Sequence, residues 1–149
     1  MNDFCLKLTE TDEEKEFLYK TRTHPKIDFM LLGNPPKDME QHLNFLDKVL
    51  LISRWIYIAY YQTKRVGYSQ IYDVQDNSLE VGFVIHPDYQ GKGLGINLVL
   101  ETVEIAKKEF KNKKVILYVL KDNKKAIHIY KKIGFIEESV EKNIVKMCF

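Results

Sequence analysis

Residues 86–95 read HPDYQGKGLG and set Gly91, Lys92, Gly93 and Gly95 between the apolar run SLEVGFVI and a long amphipathic stretch. Glycines so closely spaced cost backbone entropy, so the position calls for something only glycine supplies. A strand that leads into a helix N-terminus presents unsatisfied N–H groups and a partial positive charge, which favour phosphate. Glycine lets a ligand approach the backbone, and Lys92 adds a cation at the mouth. A pyrophosphate is the guest that suits this chemistry. The spacing is neither G-x-G-x-x-G in a parallel βαβ unit nor G-x-x-x-x-G-K-[ST]. On the glycines alone, a turn that merely connects strand to helix remains the simpler account.

A second constellation lies in NKKAIHIYKKIGF, residues 123–135. Tyr130 sits there on the apolar face of a predicted helix. A phenol, with a pKa of about 10, is neutral at pH 7 and can act as a proton donor. Tyr130 as one more packed aromatic is the competing account. Asn123 suits a helix N-cap and also a ligand hydrogen bond.

The elements that would position these residues follow from hydrophobic period. FCLKL (4–8) is a short strand, and TETDEEKEFLYKTR (9–22) opens with Thr, Asp and acids as a helix does. HPKIDFMLLGNPP (24–36) reads as a loop. KDMEQHLNFLDKVL (37–50) regains helical spacing, with Met39, Leu43, Leu46 and Leu50 on one face and His42, Phe45 and Val49 beside them. The period then becomes two. WIYIAYY (55–61), RVGYSQIYD (65–73) and SLEVGFVI (78–85) form successive antiparallel strands joined by hairpin turns. Residues 93–110 form a helix with Ile96, Val99, Leu100, Val103, Ala106 and Phe110 in a stripe. KVILYVL (114–120) reads as a strand covered on both faces. Residues 123–135 form a helix ended by Gly134, and FIEESV and KNIVKMCF close the sheet. The order β-α-α-β-β-β-α-β-α-β-β is α+β, a mostly antiparallel sheet with helices on both faces.

The pattern Gln90-x-x-Gly93-x-Gly95, followed by Asn123, Ala126, Tyr130, Gly134 and Phe135, resembles the signature pair of the GCN5-related N-acetyltransferases (GNAT). The resemblance is strongest over residues 55–135 and implies a splayed central sheet and acetyl-CoA as co-substrate. By it, residues 90–96 (Gln90, Gly91, Lys92, Gly93, Leu94, Gly95 and Ile96) cradle the coenzyme's pyrophosphate. Phe83, Val84 and Ile85 offer backbone groups to its arm and to the developing oxyanion, Asn123 binds the arm, and Tyr130 protonates the departing thiolate. Lys124 and Lys125 rank behind Lys92 as phosphate partners. A glutamate found in some members five residues before the asparagine is Tyr118 here, a departure. Glu80, near the apolar Val81, Phe83 and Ile85, is the other candidate base; the alternatives are a solvent-facing acid at a strand end with a water relay, or an amine already partly neutral in the pocket.

The opening, with TRTHPKIDFM and then HLNFLDKV, is similar to GNAT enzymes that acetylate nucleotide-linked amino sugars of the pseudaminic acid type. That similarity implies a small-molecule amine acceptor, a sugar nucleotide, with Met30 and Phe45 lining its pocket. A peptide or small-amine acetyltransferase and a non-catalytic coenzyme A-binding module are the competing functions.

The chain of 149 residues, 45% hydrophobic and 30% charged, is expected to form one domain, 1–149. A net charge of +2 gives no support for nucleic acid as a partner. No run is long enough for a membrane span, and TETDEEKE is unlike a signal peptide. Cys5 and Cys148 lack metal-type or redox-type spacing, in keeping with a reduced, cytoplasmic protein, although two cysteines leave a disulfide open. No metal is expected, and the chain is expected to be a monomer or homodimer.

Overall fold

The computed structural model describes residues 3–28, 36–49 and 54–149. Strand β1 (Phe4–Leu8) is followed by α1 (Asp12–Arg22), whose start is fixed by a reciprocal cap. Thr11 Oγ1 accepts the Glu14 N–H at 3.1 Å, and Glu14 Oε1 accepts the Thr11 N–H at 3.0 Å. The expected loop over 24–36 instead begins with a short helix, α2 (Pro25–Asp28), since proline is well placed at a helix's first position. Helix α3 spans Met39–Val49. Met30, Leu50 and the side chains of Leu46 and Val49 lie outside the described residues.

Strands β2 (Arg54–Tyr61), β3 (Lys64–Val74) and β4 (Ser78–Ile85) form the antiparallel meander. Helix α4 (Leu94–Glu109), β5 (Lys114–Leu120), α5 (Lys124–Ile133), β6 (Ile136–Glu141) and β7 (Ile144–Cys148) follow. The sheet order is β1-β2-β3-β4-β5-β7-β6, antiparallel throughout except for β4 against β5. Both cysteines are free thiols.

Helices cover both faces of the sheet. On one, Leu79 and Val81 pack with Val99, Val103 and Ala106 of α4 and with Phe135. On the other, Val84 and Tyr68 pack with Leu18 and Ile27 of the first helices. Two expectations fail locally. Leu100 is 50% exposed, because α4 turns Leu98 and Thr102 inward beside the expected Val99. Strand β5 is not covered on both faces: Tyr118 is 40% exposed and borders a cleft.

Candidate active site

Parallel pairing of β4 with β5 stops after Ser78–Lys114, Leu79–Val115 and Glu80–Ile116. Beyond Glu80 the two strands separate. Which β4 groups this leaves open follows from the ladder. His86 donates its N–H to Val66 O at 2.8 Å, and the register with β3 is unbroken from Ile85 to Ser78. Antiparallel alternation therefore turns the amides of Val84, Gly82 and Glu80 toward β3. Those of Phe83 and Ile85 point into the gap. The bond from Lys114 N–H to Asn77 O, 3.1 Å, gives the same parity from the β5 side.

The gap opens into a cleft of about 860 Å³ lined by Glu80, Gly82, Phe83 and Val84 of β4, Tyr118 and Leu120 of β5, and Asn123 and Tyr130. Tyr130 is half-buried, its ring 5.7 Å from that of Phe83 and 5.9 Å from that of Phe135. Its hydroxyl has no hydrogen-bond partner among the described residues. Burial pushes the phenol above the ordinary tyrosine range, so it stays a neutral donor. Asn123 caps α5, its Oδ1 accepting the Ala126 N–H at 3.3 Å. Its Nδ2 is the atom left for a ligand.

The glycine loop lies elsewhere, beyond the other end of β4. Five residues separate Glu80 from Ile85, roughly 17 Å of strand. Gly91 and Gly93 both have φ of +78°, and a Cβ on either would meet nothing within 4 Å. The loop therefore needs glycine for its left-handed backbone and has open space beside it. Gln90 braces the loop, its Nε2 donating to Ile85 O at 3.0 Å. Lys92 Nζ lies 5.4 Å from the Tyr89 ring. Leu94 is buried against Val66 and Leu98, so its side chain belongs to packing, and Ile96 is half-buried on α4. His24 orders its own turn, Nδ1 accepting the Lys26 N–H at 3.1 Å.

Glu80 requires a correction. Strand alternation puts it on the face opposite Val81, Phe83 and Ile85, so those residues do not make its surroundings apolar. It stands in a row across the sheet, Arg54–Tyr72–Glu80–Ile116. Burial, and then the facing Glu80 carboxylate, push the Tyr72 phenol up. Burial also pushes Tyr68 up to about 12, with Arg22 acting the other way.

Phe45 lines the cleft at 45% exposure and is not part of the core. The Arg54 guanidinium carbon lies 5.4 Å from the Phe45 ring centre and 4.3 Å from that of Tyr72. Helix α3 is held to α1 by His42, 6% exposed, whose Nε2 donates to Lys15 O at 3.0 Å. Arg54 and Tyr72 escaped the sequence reading, which had Arg22 only as part of the segments TETDEEKEFLYKTR and TRTHPKIDFM. The only clue to Tyr72 was its even spacing with Tyr68 and Gln70 along β3.

The chain matches the Acetyltransferase (GNAT) family over residues 18–135. It is 29% identical over 137 residues to acetyltransferase PseH of Campylobacter jejuni strain 81-176, across 91% of this chain and 85% of that protein. Spermidine N(1)-acetyltransferase of Vibrio cholerae is 29% identical over 79 residues, across 52% of this chain and 46% of that protein. Among solved structures, the V. cholerae spermidine N-acetyltransferase in complex with CoA and spermine superposes with a TM-score of 0.91 at 20% identity. That match covers 100% of this chain and 96% of the other. C. jejuni PseH in complex with acetyl coenzyme A superposes with a TM-score of 0.76 at 24% identity, covering 97% and 98%. With a matching fold and an intact signature pair, the chain belongs to the GNAT acetyltransferase family and is an N-acetyltransferase.

Proposed function

We propose that this enzyme moves the acetyl group of acetyl-CoA to a primary amine of a nucleotide-linked sugar, by direct attack with both substrates bound. The observation that carries this reading is the parity of β4. The amides of Phe83 and Ile85 are unused by β3, and Phe83 lines the same cleft as Tyr130. The residues fit the coenzyme: open backbone donors for its arm, Asn123 Nδ2 beside them, and a glycine loop for its pyrophosphate. When bound, acetyl-CoA supplies an acyl group on a good leaving group.

Glu80, directly or through water, takes the proton of the attacking amine. The Phe83 N–H stabilises the developing oxyanion, a contribution of several kcal/mol for such preorganised donors. As the new C–N bond forms and the C–S bond breaks, Tyr130 gives its proton to the thiolate. It is then reprotonated from solvent.

Two observations favour a sugar nucleotide as acceptor. The opening segments TRTHPKIDFM and HLNFLDKV resemble enzymes that acetylate nucleotide-linked amino sugars, and the match to PseH spans most of both chains. The described cleft lining carries Arg22, Lys37 and Arg54 against the single carboxylate of Glu80, a poor setting for a polycation. A polyamine acceptor is the second reading, favoured by the superposition on the V. cholerae enzyme. An acetyl-CoA-dependent assay over nucleotide-linked amino sugars, spermidine and a peptide amine decides between them. The sugar nucleotides should show the highest kcat/KM, and preference for spermidine would reverse the assignment.

A further inference from the structure

Arg54 is unusual among the charged residues of the cleft. Its guanidinium lies against two aromatic rings, Tyr72 at 4.3 Å and Phe45 at 5.4 Å. No described carboxylate forms an ion pair with it. Cation–π contact with two rings holds the guanidinium at the cleft lining, and a guanidinium presents its N–H donors along a planar edge. Such an edge matches the geometry of a phosphate.

The phosphate concerned is not the coenzyme's. Arg54 stands opposite Tyr72, which stands opposite Glu80, and the glycine loop is a further roughly 17 Å along β4. Glu80, by contrast, is only two strands away, about 10 Å between backbones. That separation suits one sugar ring with an amine at one side and a phosphate at another.

We propose that Arg54, held between Phe45 and Tyr72, is an anion subsite that grips the acceptor's phosphate and sets the enzyme's preference for phosphorylated acceptors. This rests on the sugar-nucleotide reading above and identifies the residue that enforces it. Phe45 thus serves as a platform for the arginine. Arg54→Lys keeps the charge but loses the planar fork, and Arg54→Gln loses both.

The test has two arms. In the first, uridine diphosphate and inorganic pyrophosphate are titrated calorimetrically into protein saturated with CoA, so that the glycine loop is already filled. Both should bind the wild type. Arg54→Gln should weaken them about tenfold to a hundredfold, as for loss of a charge-assisted contact, with Arg54→Lys in between. In the second arm, KM is compared for a uridine-diphosphate-linked amino sugar and for the methyl glycoside of the same sugar. Arg54→Gln should raise only the first and leave KM for acetyl-CoA unchanged. If diphosphate binding is equal in wild type and Arg54→Gln, or if both acceptors suffer alike, the subsite is overturned. If diphosphate binding depends on Arg54 but no amino sugar is acetylated, the anion subsite stands, and the acceptor assignment and the preference inferred from it both fall.

Discussion

At the residue scale, the proposed mechanism divides the proton work between Tyr130 and Glu80, and each makes a separable prediction. Tyr130→Phe keeps the ring on Phe83 and Phe135 and deletes only the hydroxyl. Steady-state assays should show kcat lower by roughly a hundredfold, with acetyl-CoA KM little changed. Tyr130→Ala should in addition lose about 2–3 kcal/mol of stability, less than a fully buried aromatic because the ring is half-buried. Burial raises the phenol's pKa, so Tyr130 keeps its proton on the alkaline side, and kcat should stay flat up to about pH 10. Glu80→Gln should cut kcat by roughly a hundredfold without affecting acetyl-CoA binding. An unimpaired variant would assign proton removal to water. Neither residue's surroundings were visible in the chain order. Tyr130 announced itself through its motif spacing, whereas the partners of Glu80 depend on which face of β4 it occupies and on which strand lies alongside.

At the scale of elements, the change of hydrophobic period from helical to alternating marked nearly every boundary, because burial of one face imposes it. What period does not encode is pairing. The early end of the β4–β5 ladder, the outward turn of Leu100 and the meeting of Arg54 with Phe45 all arise from contacts between distant segments. Two elements invite tests. In the glycine loop, Gly93→Val should weaken acetyl-CoA binding and also cost about 1–2 kcal/mol, since a side chain is strained at a φ of +78°. Gly95→Ala is the control. Its Cβ would sit 3.6 Å from Ile129 Cδ1, an ordinary contact, and thermal melts should give near-native stability. The second element is α3, held by His42. Burial, partly offset by the bond to Lys15 O, lowers the histidine's pKa. As pH falls through about 6.5 the unfolded chain takes up a proton that the folded chain refuses, so folding stability declines. Thermal melts from pH 7.5 to 5.5 should show this fall, and His42→Gln, which cannot titrate, should flatten it.

At the scale of the whole molecule, the sheet separates two approaches. In the proposed reading the coenzyme's loop lies past Ile85, at one end of β4, and the acceptor's residues gather around Glu80, at the other. The two substrates can therefore meet between the strands without sharing an entrance. Among the described residues no helix is long and apolar enough to cross a membrane.

The parted strands have one more consequence, readable in how fast backbone protons trade with solvent. Amides in a central strand ordinarily exchange only when the structure opens. In β4, neighbouring residues should instead behave oppositely. Val84 and Gly82, bonded to β3, should be protected whether or not coenzyme is present. Phe83 and Ile85 should exchange quickly in the free enzyme and slow once CoA is added, as the ligand takes the place of a missing strand. Deuterium uptake resolved by residue would show a comb of alternating rates that smooths on loading. Uniform protection along β4 in the free enzyme would mean that the gap is closed in solution.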